Sequence, residues 1–477
     1  MPAERLSRSR PAPQVGIVHL GLGAFFRAFG AVYIEEAMAA SGGDWGIVGV
    51  SLRSPGIRDA LVPQGCVYTA LELGPGGETT RVVEVVADVL VAPEDPEAVL
   101  ARMADPAVRI VTLTVTEKGY CHSPATGRLD LAHPDIAHDL ANPLPRSAPG
   151  FLVRALKRRR AAGHRPFSVL TCDNLPMNGH LVRGLVIDFA NALDPALADW
   201  IAAEGRFPST MVDRIVPATT DADIERVERA TGRHDAAPVL HEPFRQWVVE
   251  DDFVDGARPD LGAVGVELVE DVTPYEHMKL RMLNGTHSPL AYLGYLAGHE
   301  TIADTVADSV FAAYVRRLWT REIIPAVEAP PGVELDAYAG RLFERSRNPA
   351  IRHRTWQIAM DGSQKLPQRL LGTISEAFDA GRAVPGLALA VAGWMRYVGG
   401  TDEKGRPIDV RDPMAARLKE LSEGAGDDAA RVAALLGVRE VFPATLAARL
   451  ARPVTAAYGR LVVKGARGAV AELGGDT

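Results

Sequence analysis

Cysteine and long apolar runs are the scarcest features of this sequence. Its 477 residues include three cysteines, Cys66, Cys121 and Cys172, which lie far apart without a Cys-x-x-Cys pair. This scarcity argues against a disulfide framework and against a cysteine-based zinc site. The longest apolar candidate, residues 384–395, is shorter than the roughly 20 residues of a membrane helix and contains a Pro-Gly pair. We therefore expect no membrane segment and a cytoplasmic location.

Excess positive charge is missing as well. The chain has 52 Lys and Arg against 60 Asp and Glu, a formal net charge of -8. Nonspecific nucleic-acid binding depends on dense positive charge, so we expect no nucleic-acid partner. The pairs His241-Glu242 and His299-Glu300 lack the His-Glu-x-x-His pattern, and we expect no metal. Residues 1–13 are rich in Arg and Pro without an apolar run, which is not typical of a signal peptide.

Apolar residues are plentiful, at 47% of the chain, and the length suggests two or three domains. Up to about residue 220, short β-branched runs alternate with helical periodicity, which predicts an α/β fold with a doubly wound parallel sheet. The strand candidates are residues 15–20, 46–51, 82–91, 108–115 and 167–171. After about residue 275 the chain is predicted to be helical, with long helices that include 275–298, 302–326 and 365–380. We place the domain boundary after residue 272.

The first strand candidate ends in a glycine turn. Gly21-x-Gly23 lies between a strand and a helix, where glycines let a dinucleotide pyrophosphate approach the helix N-terminus. The third glycine position of that motif is Phe26, so an ordinary tight turn fits equally well. Arg27 is a candidate phosphate contact, or a solvated helix charge.

Two further strand ends are candidates for the same cofactor. The second strand ends in Ser51-Leu-Arg53, without the acid that usually bonds the adenosine ribose, and Arg53 could accept a 2′-phosphate. Both NAD and NADP therefore stay open. Thr116 and Glu117 follow another strand candidate, where the carboxyl ends of parallel strands line the ligand crevice, although a plain polar loop is equally compatible.

The stretch from Tyr275 to His287 contains a candidate catalytic group. On a helix, Glu276, Lys279, Asn284 and His287 can point into one cleft. Dehydrogenation of a secondary alcohol needs a proton acceptor, which a buried Lys can supply, and an amide can stabilise the alkoxide. A surface Lys paired with Glu276, together with a core His, is the structural alternative.

Two more polar clusters follow strand candidates. Asn174 and Asn178 could reach the crevice or cap the next helix. Asp213 and Arg214 lie between apolar neighbours. They could be a polar pair of the functional site or a buried structural ion pair.

Taken together, these motifs resemble those of the polyol-specific long-chain dehydrogenases, the mannitol dehydrogenase family. The resembling segments, in matching order along nearly the whole chain, are Gly21-Leu-Gly-Ala-Phe-Phe-Arg27, Thr116-Glu-Lys-Gly-Tyr120, Cys172-Asp-Asn174, Val212-Asp-Arg214, Lys279-x4-Asn284-x2-His287 and Asp361-Gly-Ser363. The resemblance implies a Rossmann-type domain over 1–272 and a helical substrate domain over 273–477. It also implies an NAD cofactor, with NADP possible, no metal, and a small-molecule sugar acid or polyol substrate. We expect a monomer or small homo-oligomer.

The same resemblance implies a role for each matching residue. Lys279 matches the general acid/base, and Asn174 and Asn284 match the amides of the oxyanion site. His287 matches a substrate-orienting His, Asp213 an active-site Asp, and Glu276 a Glu that gates proton exchange with solvent. The cofactor loop matches Gly21, Gly23, Ala24, Phe25 and Arg27.

Residues 348–369 resemble the fructuronate reductase (mannonate oxidoreductase) branch, because Gln357 stands where the mannitol-oxidising branch carries Arg. A uronate carries a carboxylate that needs a cationic partner, and Arg354, Lys365 and Arg369 are the candidates. An ordinary charged helix face is the alternative. The rival functions are a polyol 2-dehydrogenase acting on mannitol, arabinitol or sorbitol, and a noncatalytic dinucleotide-binding protein.

Overall fold

The computed structural model describes residues 3–123 and 126–474. The chain divides into two compact units, Met1–Thr273 and Pro274–Thr477. The first is built on a parallel sheet and the second is mainly helical. The predicted fold class is therefore confirmed.

The first unit contains a five-stranded sheet with parallel pairing throughout. Its strands are β1 (Val15–Leu20), β2 (Gly46–Ser51), β3 (Val86–Val91), β4 (Ile110–Leu113) and β5 (Ser168–Thr171). They lie in the order β5-β4-β1-β2-β3. The inner strands are almost continuously apolar because helices cover both faces of such a sheet. The strand order reverses between β1 and β4, and ligands bind at the carboxyl ends of strands beside such a switch point.

The remaining strands form smaller sheets. Thr210–Asp213, Gln246–Glu250 and Glu267–Val269 make one sheet, and Tyr68–Gly74, Gly77–Val83 and Val239–His241 make another. Glu4–Arg5 pairs with Arg233–His234, and His122–Ser123 with Arg128–Leu129. The prediction of one strand over 82–91 is wrong, because the chain leaves one sheet at Val83 and enters the other at Val86.

Helices flank the sheets of the first unit. The α-helices are Ala24–Ala28, Gly30–Ser41, Gly56–Leu61, Pro96–Ala104, Thr116–Gly119, Pro134–Ala141, Ala148–Ala161, Asn178–Leu193, Pro195–Glu204 and Asp221–Thr231. Short 3-10 turns cover Val62–Gln64, Val254–Gly256 and Gly262–Val264.

The second unit packs its helices around Pro385–Val398, which is buried on almost every side. A helix that is apolar all round belongs in the interior. The other α-helices are Thr273–Met278, Gly285–Ala297, Ile302–Ala307, Ser309–Arg317, Leu335–Ser346, Thr355–Ala359, Gly362–Leu366, Gly372–Asp379, Ala415–Glu423, Asp428–Leu436 and Ala444–Gly474. Within the described residues, no helix combines the length and the apolar character that a membrane crossing needs.

Three π-helical segments interrupt the long helices that the sequence predicts. They are Lys279–Asn284, Leu318–Ile323 and Pro367–Leu371. We name the first the lysine π-turn and the last the arginine π-turn. The predicted helices over 275–298, 302–326 and 365–380 are therefore not continuous α-helices. Such segments are rare and are found frequently at functional sites.

Candidate active site

The glycine turn after β1 needs a glycine at its first position. Gly21 has φ +92, and a Cβ there would lie 2.2 Å from the carbonyl oxygen of Thr114. The Gly21 N–H donates to the Val50 carbonyl oxygen over 2.9 Å. Gly23 is exposed and has a φ angle that any residue can adopt. Its backbone conformation therefore does not require glycine, but the missing side chain leaves space above the turn. The turn thus holds the ends of β1, β2 and β4 close together.

Phe26, at the third glycine position, packs beneath this turn. Its ring stacks on the buried ring of His19 at a centroid distance of 3.4 Å. The two nitrogens of His19 bond to the hydroxyls of Thr112 (2.8 Å) and Thr114 (3.0 Å). Burial lowers the pKa of His19 to about 3, so the ring is neutral. A neutral His–Phe stack therefore supports the turn in place of the third glycine.

A cavity of about 1060 Å³ lies at the carboxyl edge of the sheet, within the first unit. The predicted cofactor residues that line it are Gly21, Gly23, Arg53 and Thr116. Ala24 and Phe25 are half-buried and Glu117 is exposed, and none of these three belongs to the lining among the described residues. The cavity has the size and the position expected of a dinucleotide crevice.

Arg27 does not face this cavity. Its side chain is buried, Nη1 donates to the Ala237 carbonyl oxygen over 2.5 Å, and the guanidinium lies 5.2 Å from the ring centroid of Tyr68. Burial lowers the pKa of the guanidinium. The geometry corrects the expectation of a phosphate contact, because Arg27 fastens its helix to the segment that precedes the strand Val239–His241.

Asp173 holds the loop that follows β4, a role the sequence analysis missed. Its carboxylate accepts hydrogen bonds from Val115 N (2.8 Å), Thr116 N (3.0 Å) and the Tyr120 hydroxyl (2.7 Å). Thr116 has the strained φ of +63, which these bonds help to maintain. Burial raises the pKa of Asp173, while its three donors oppose that rise. Asn174, the predicted oxyanion amide, follows directly and is exposed.

Asn178 has a structural geometry. It is fully buried, its Nδ2 donates to the carbonyl oxygens of Asp173 and Thr210, and its Oδ1 accepts from Thr210 N. With these groups occupied, the amide ties the end of β5 to the strand Thr210–Asp213. This corrects the expectation of a substrate contact.

Asp213 is buried at the end of its strand. Its neighbour Arg214 is buried as well, and Nη1 of Arg214 donates to the Ala28 carbonyl oxygen over 2.7 Å. A carboxylate oxygen of Glu72 lies 3.8 Å from Nη2 of Arg214. Burial lowers the pKa of Arg214 to about 10. Arg214 is therefore a structural residue of the first unit.

In the second unit, the predicted catalytic residues lie on and beside the lysine π-turn. Lys279 is buried at its first position, Asn284 is half-buried at its last, and Glu276 is half-buried in the preceding helix. Bonds from Thr286 Oγ1 (2.7 Å) and Trp319 Nε1 (3.1 Å) satisfy the Met282 carbonyl oxygen. The widened turn is thus held by side chains, and it sets where Lys279 and Asn284 project.

The two π-turns meet at Gly285. A Cβ on this residue would lie 2.9 Å from the Arg369 carbonyl oxygen, so the backbones pass in a contact that only glycine allows. His287 lies one half-turn further along the same helix. The crossing therefore brings the arginine π-turn close to His287.

His287 and His353 lie ring against ring at 5.4 Å between centroids. Burial lowers the pKa of His287, and the charges of His353, Arg345 and Arg369 lower it further. Burial likewise lowers the pKa of His353 to about 4, assisted by Arg345, Arg369 and Lys365. Two neutral imidazoles thus lie in a field of positive charge. Neither Arg345 nor His353 was predicted from the sequence.

Arg354 lies apart from this group. It is exposed, and its Nε lies 3.8 Å from Oε1 of Glu300, to which Arg352 also donates. The predicted contact of Arg354 with a substrate carboxylate stays a prediction, which this exposed position does not favour.

One group of possible metal ligands lies in the first unit. Cys121, His133 and Asp135 place one ligand atom each within 4.8 Å of one another. The His133 Nδ1 already accepts from Asp135 N over 3.2 Å. The expectation of no metal stays a prediction.

Comparison with known families and proteins gives consistent matches. Residues 15–262 match the family model described as the mannitol dehydrogenase Rossmann domain, and residues 271–462 match the mannitol dehydrogenase C-terminal domain. The D-mannonate oxidoreductase of Escherichia coli (strain K12) is 47% identical over 481 residues, which cover 99% of this chain and 98% of that protein.

Two mannitol enzymes are similar as well. A mannitol 2-dehydrogenase of Pyricularia oryzae is 42% identical over 420 residues, which cover 86% of this chain and 84% of that one. The ternary complex of Pseudomonas fluorescens mannitol 2-dehydrogenase with NAD and D-mannitol superposes with a TM-score of 0.85 at 38% identity, covering 100% of this chain and 98% of that one. On the two family models and these relatives, this chain belongs to the mannitol dehydrogenase family.

Proposed function

We propose that this chain, an oxidoreductase of secondary alcohols by its family, interconverts a keto-uronate and its aldonate alcohol, with fructuronate and mannonate as the pair. The cofactor is NAD, and the reaction uses no metal. The observation that carries the proposal is the positive charge of Arg345, Lys365 and Arg369 around His287 and His353. A carboxylate compensates such charge, whereas a neutral polyol cannot.

The first unit fits a dinucleotide. Gly21 leaves no space for a Cβ where the chain turns, and the crevice lies beside the strand-order switch point. Gly21, Gly23 and Thr116 would hold the pyrophosphate side, and Arg53 lies on the rim. When bound, the reduced cofactor supplies the hydride that the ketone carbon accepts. Arg53 and the missing acid after β2 make NADP the alternative that the assay must include.

In the second unit, Lys279 is proposed as the proton donor in the reductive direction. Its ammonium transfers one proton to the carbonyl oxygen as hydride arrives at carbon, so the ketone becomes a secondary alcohol and the lysine becomes neutral. The buried position of Lys279 at the start of the lysine π-turn supports this role. Glu276, half-buried within the preceding helix, is proposed to return the proton from solvent.

Other polar groups have complementary roles in this proposal. Asn174 and Asn284 donate amide hydrogens to the oxygen that carries negative charge, which stabilises the transition state. His287 orients the substrate hydroxyls, since its low pKa keeps the imidazole neutral and able both to donate and to accept. Asp213 is the remaining acid of the proposed site.

A polyol 2-dehydrogenase is the second candidate. The full-length similarity to a mannitol 2-dehydrogenase solved with NAD and D-mannitol favours it. In that case the positive charge around His353 would serve the fold rather than a carboxylate.

One assay separates these candidates. We would measure initial rates of NADH and NADPH oxidation with fructuronate, tagaturonate and fructose, which carries no carboxylate. The proposal expects turnover with a uronate that exceeds turnover with fructose by a factor of at least about 100, since charged hydrogen bonds contribute about 1.5–3 kcal/mol each. Efficient turnover of fructose alone would assign the polyol function. A rate with NADPH that exceeds the rate with NADH would overturn the cofactor assignment.

A further inference from the structure

The basic side chains near the predicted substrate site differ in what they contact. Arg354 belongs to a surface group with Arg352 and Glu300, where all three side chains are exposed. Exposed ion pairs contribute little to stability and are screened by salt. A buried ligand would have to draw Arg354 away from Glu300, so this residue does not belong to a substrate receptor.

Lys365 is occupied by its own backbone. Its Nζ donates to the carbonyl oxygens of Met360 (2.5 Å) and Ile358 (3.4 Å), at the end of the helix Thr355–Ala359. Burial and the charge of Arg369 lower the pKa of Lys365 to about 8, while Asp361 and Asp412 oppose the shift. Lys365 therefore holds the turn that leads into the arginine π-turn, and its positive charge acts on His353 without a direct contact.

Arg345, His353 and Arg369 converge from three separate elements. Arg345 lies near the end of the helix Leu335–Ser346, His353 in the segment before Thr355, and Arg369 in the arginine π-turn. Both guanidinium groups lie close enough to His353 and His287 to disfavour protonation of either ring. The contact of Gly285 with the Arg369 backbone fixes the distance between the last element and His287.

His353 carries an unused hydrogen-bonding atom. Its Nδ1 is buried and has no hydrogen-bond partner among the described residues. Its backbone is anchored on both sides, because the His353 carbonyl oxygen accepts from Ile302 N (3.0 Å) and its N–H donates to the Ile351 carbonyl oxygen (2.9 Å). A buried polar atom left unpaired costs free energy unless a ligand or water completes it. The ring is thus held in place with one nitrogen available.

We propose that Arg345, His353 and Arg369 form the receptor for the terminal carboxylate of the sugar acid. Two guanidinium groups offer paired N–H donors to the carboxylate oxygens, and the free ring nitrogen of His353 supplies a third partner. Binding the anion places a negative charge beside the two guanidinium groups and the two imidazoles. The inference rests on the proposed keto-uronate function and names the residues that select for the acid.

The test compares substrates across a set of variants. Arg345→Met and His353→Phe remove polar groups while keeping volume, Arg345→Lys keeps the charge, and Arg352→Met is the matched control on the exposed ion group. We would measure kcat and KM with NADH for fructuronate and for fructose. For Arg345→Met and His353→Phe we expect kcat/KM with fructuronate to fall about 10- to 100-fold, mainly through KM. In the same two variants, fructose turnover and NADH affinity should stay within about twofold of the parent enzyme. The control Arg352→Met should keep its kcat/KM for fructuronate within about twofold of the parent value, and Arg345→Lys should recover part of the loss seen in Arg345→Met.

Each contrary outcome has its own meaning. Equal losses on fructuronate and fructose, or a loss confined to kcat, would contradict the receptor while leaving the proposed function intact. A parent enzyme that reduces fructose but no uronate would overturn both. If Arg345→Met fails to fold, Arg345→Lys and His353→Phe decide the matter by the same ratio, and unchanged KM for fructuronate in both would refute the inference.

Discussion

The two units build their candidate sites by different physical means. In the first unit, the crevice is shaped by hydrogen bonds among strand ends, with Asp173 receiving two backbone N–H groups and His19 joining two threonines. In the second, the imidazoles of His287 and His353 lie with half-buried cations around two π-turns that touch at Gly285. The first arrangement is a network of hydrogen bonds around strand ends, whereas the second places two neutral imidazoles among positively charged side chains.

This difference bears on function. A hydrogen-bonded scaffold stabilises the fold and positions whatever binds, so its loss should weaken cofactor binding in graded steps. Buried charge is costly for the fold and is worth retaining where a ligand of opposite charge arrives. We therefore expect the second unit to determine the chemistry and the substrate, and the first to determine affinity for the cofactor.

The largest expected effect comes from the lysine π-turn. Lys279→Ala removes the proposed proton donor, and general acid–base groups contribute about 100- to 10,000-fold to rate. We expect kcat to fall by that factor, while NADH binding, measured by the quenching of its fluorescence or by calorimetry, stays unchanged. The surface variant Lys419→Ala, in the helix Ala415–Glu423, is the control and should retain full activity. Near-normal turnover in Lys279→Ala would contradict the proposed mechanism. Loss of NADH binding in this variant would contradict the expectation that the first unit alone determines affinity for the cofactor.

Much of the first unit follows from residue patterns. The runs at β1 and β2 and the intervening glycine turn predict one strand–helix–strand unit, because β-branched runs and glycines have strong local preferences. The hydrogen bonds that Asp173 accepts from the loop after β4 were not predictable, since its partner Val115 is 58 residues away in the chain. Arg27 and Asn178 were assigned to ligands because a sequence does not show which backbone carbonyls lie beside a polar side chain.

The second unit shows the opposite pattern. Helical periodicity predicted where helices lie, and the resemblance pointed to Lys279, Asn284 and His287, whose roles stay predictions. The π-turns were not predicted, because each is a single short segment within a longer helical stretch and has no residue signature of its own. Arg345 and His353 escaped as well, because a basic residue near a helix end is ordinary and only tertiary packing brings it to His287.

The contact between the π-turns offers a second test of the comparison. Gly285→Ala places a Cβ 2.9 Å from a backbone oxygen, which cannot rotate away as a side chain can. Overpacking of this kind costs about 1–3 kcal/mol. We expect the melting temperature to fall and kcat/KM to drop by about 10- to 100-fold, with NADH affinity unchanged because the cofactor crevice belongs to the other unit.

Gly372→Ala is the control for that substitution. Gly372 is helical, and a Cβ there meets nothing within 4 Å, so alanine should be neutral or stabilise the fold by about 0.5–1 kcal/mol. Equal behaviour of the two variants in thermal unfolding and in steady-state kinetics would show that the π-turns tolerate a wider separation than the structure implies.

The smallest expected effect lies in the first unit, at Asp173. Asp173→Asn keeps the shape of the side chain but replaces one acceptor oxygen with an NH2 group, which cannot receive a hydrogen bond from Val115 N or Thr116 N. The loop after β4 should relax from its strained conformation at Thr116, and the Kd for NADH should rise about 10-fold, in line with about 1.5–3 kcal/mol for a charged hydrogen bond partly recovered by water. Tyr120→Phe removes only the hydroxyl donor and keeps both backbone bonds, so its Kd should change by less than about threefold. If a fluorescence titration shows that Tyr120→Phe raises the Kd for NADH as much as Asp173→Asn or more, the Tyr120 hydroxyl positions the loop, rather than the two backbone hydrogen bonds to Asp173. The graded response expected of the first unit would then fail at the residue where the structure concentrates its bonds.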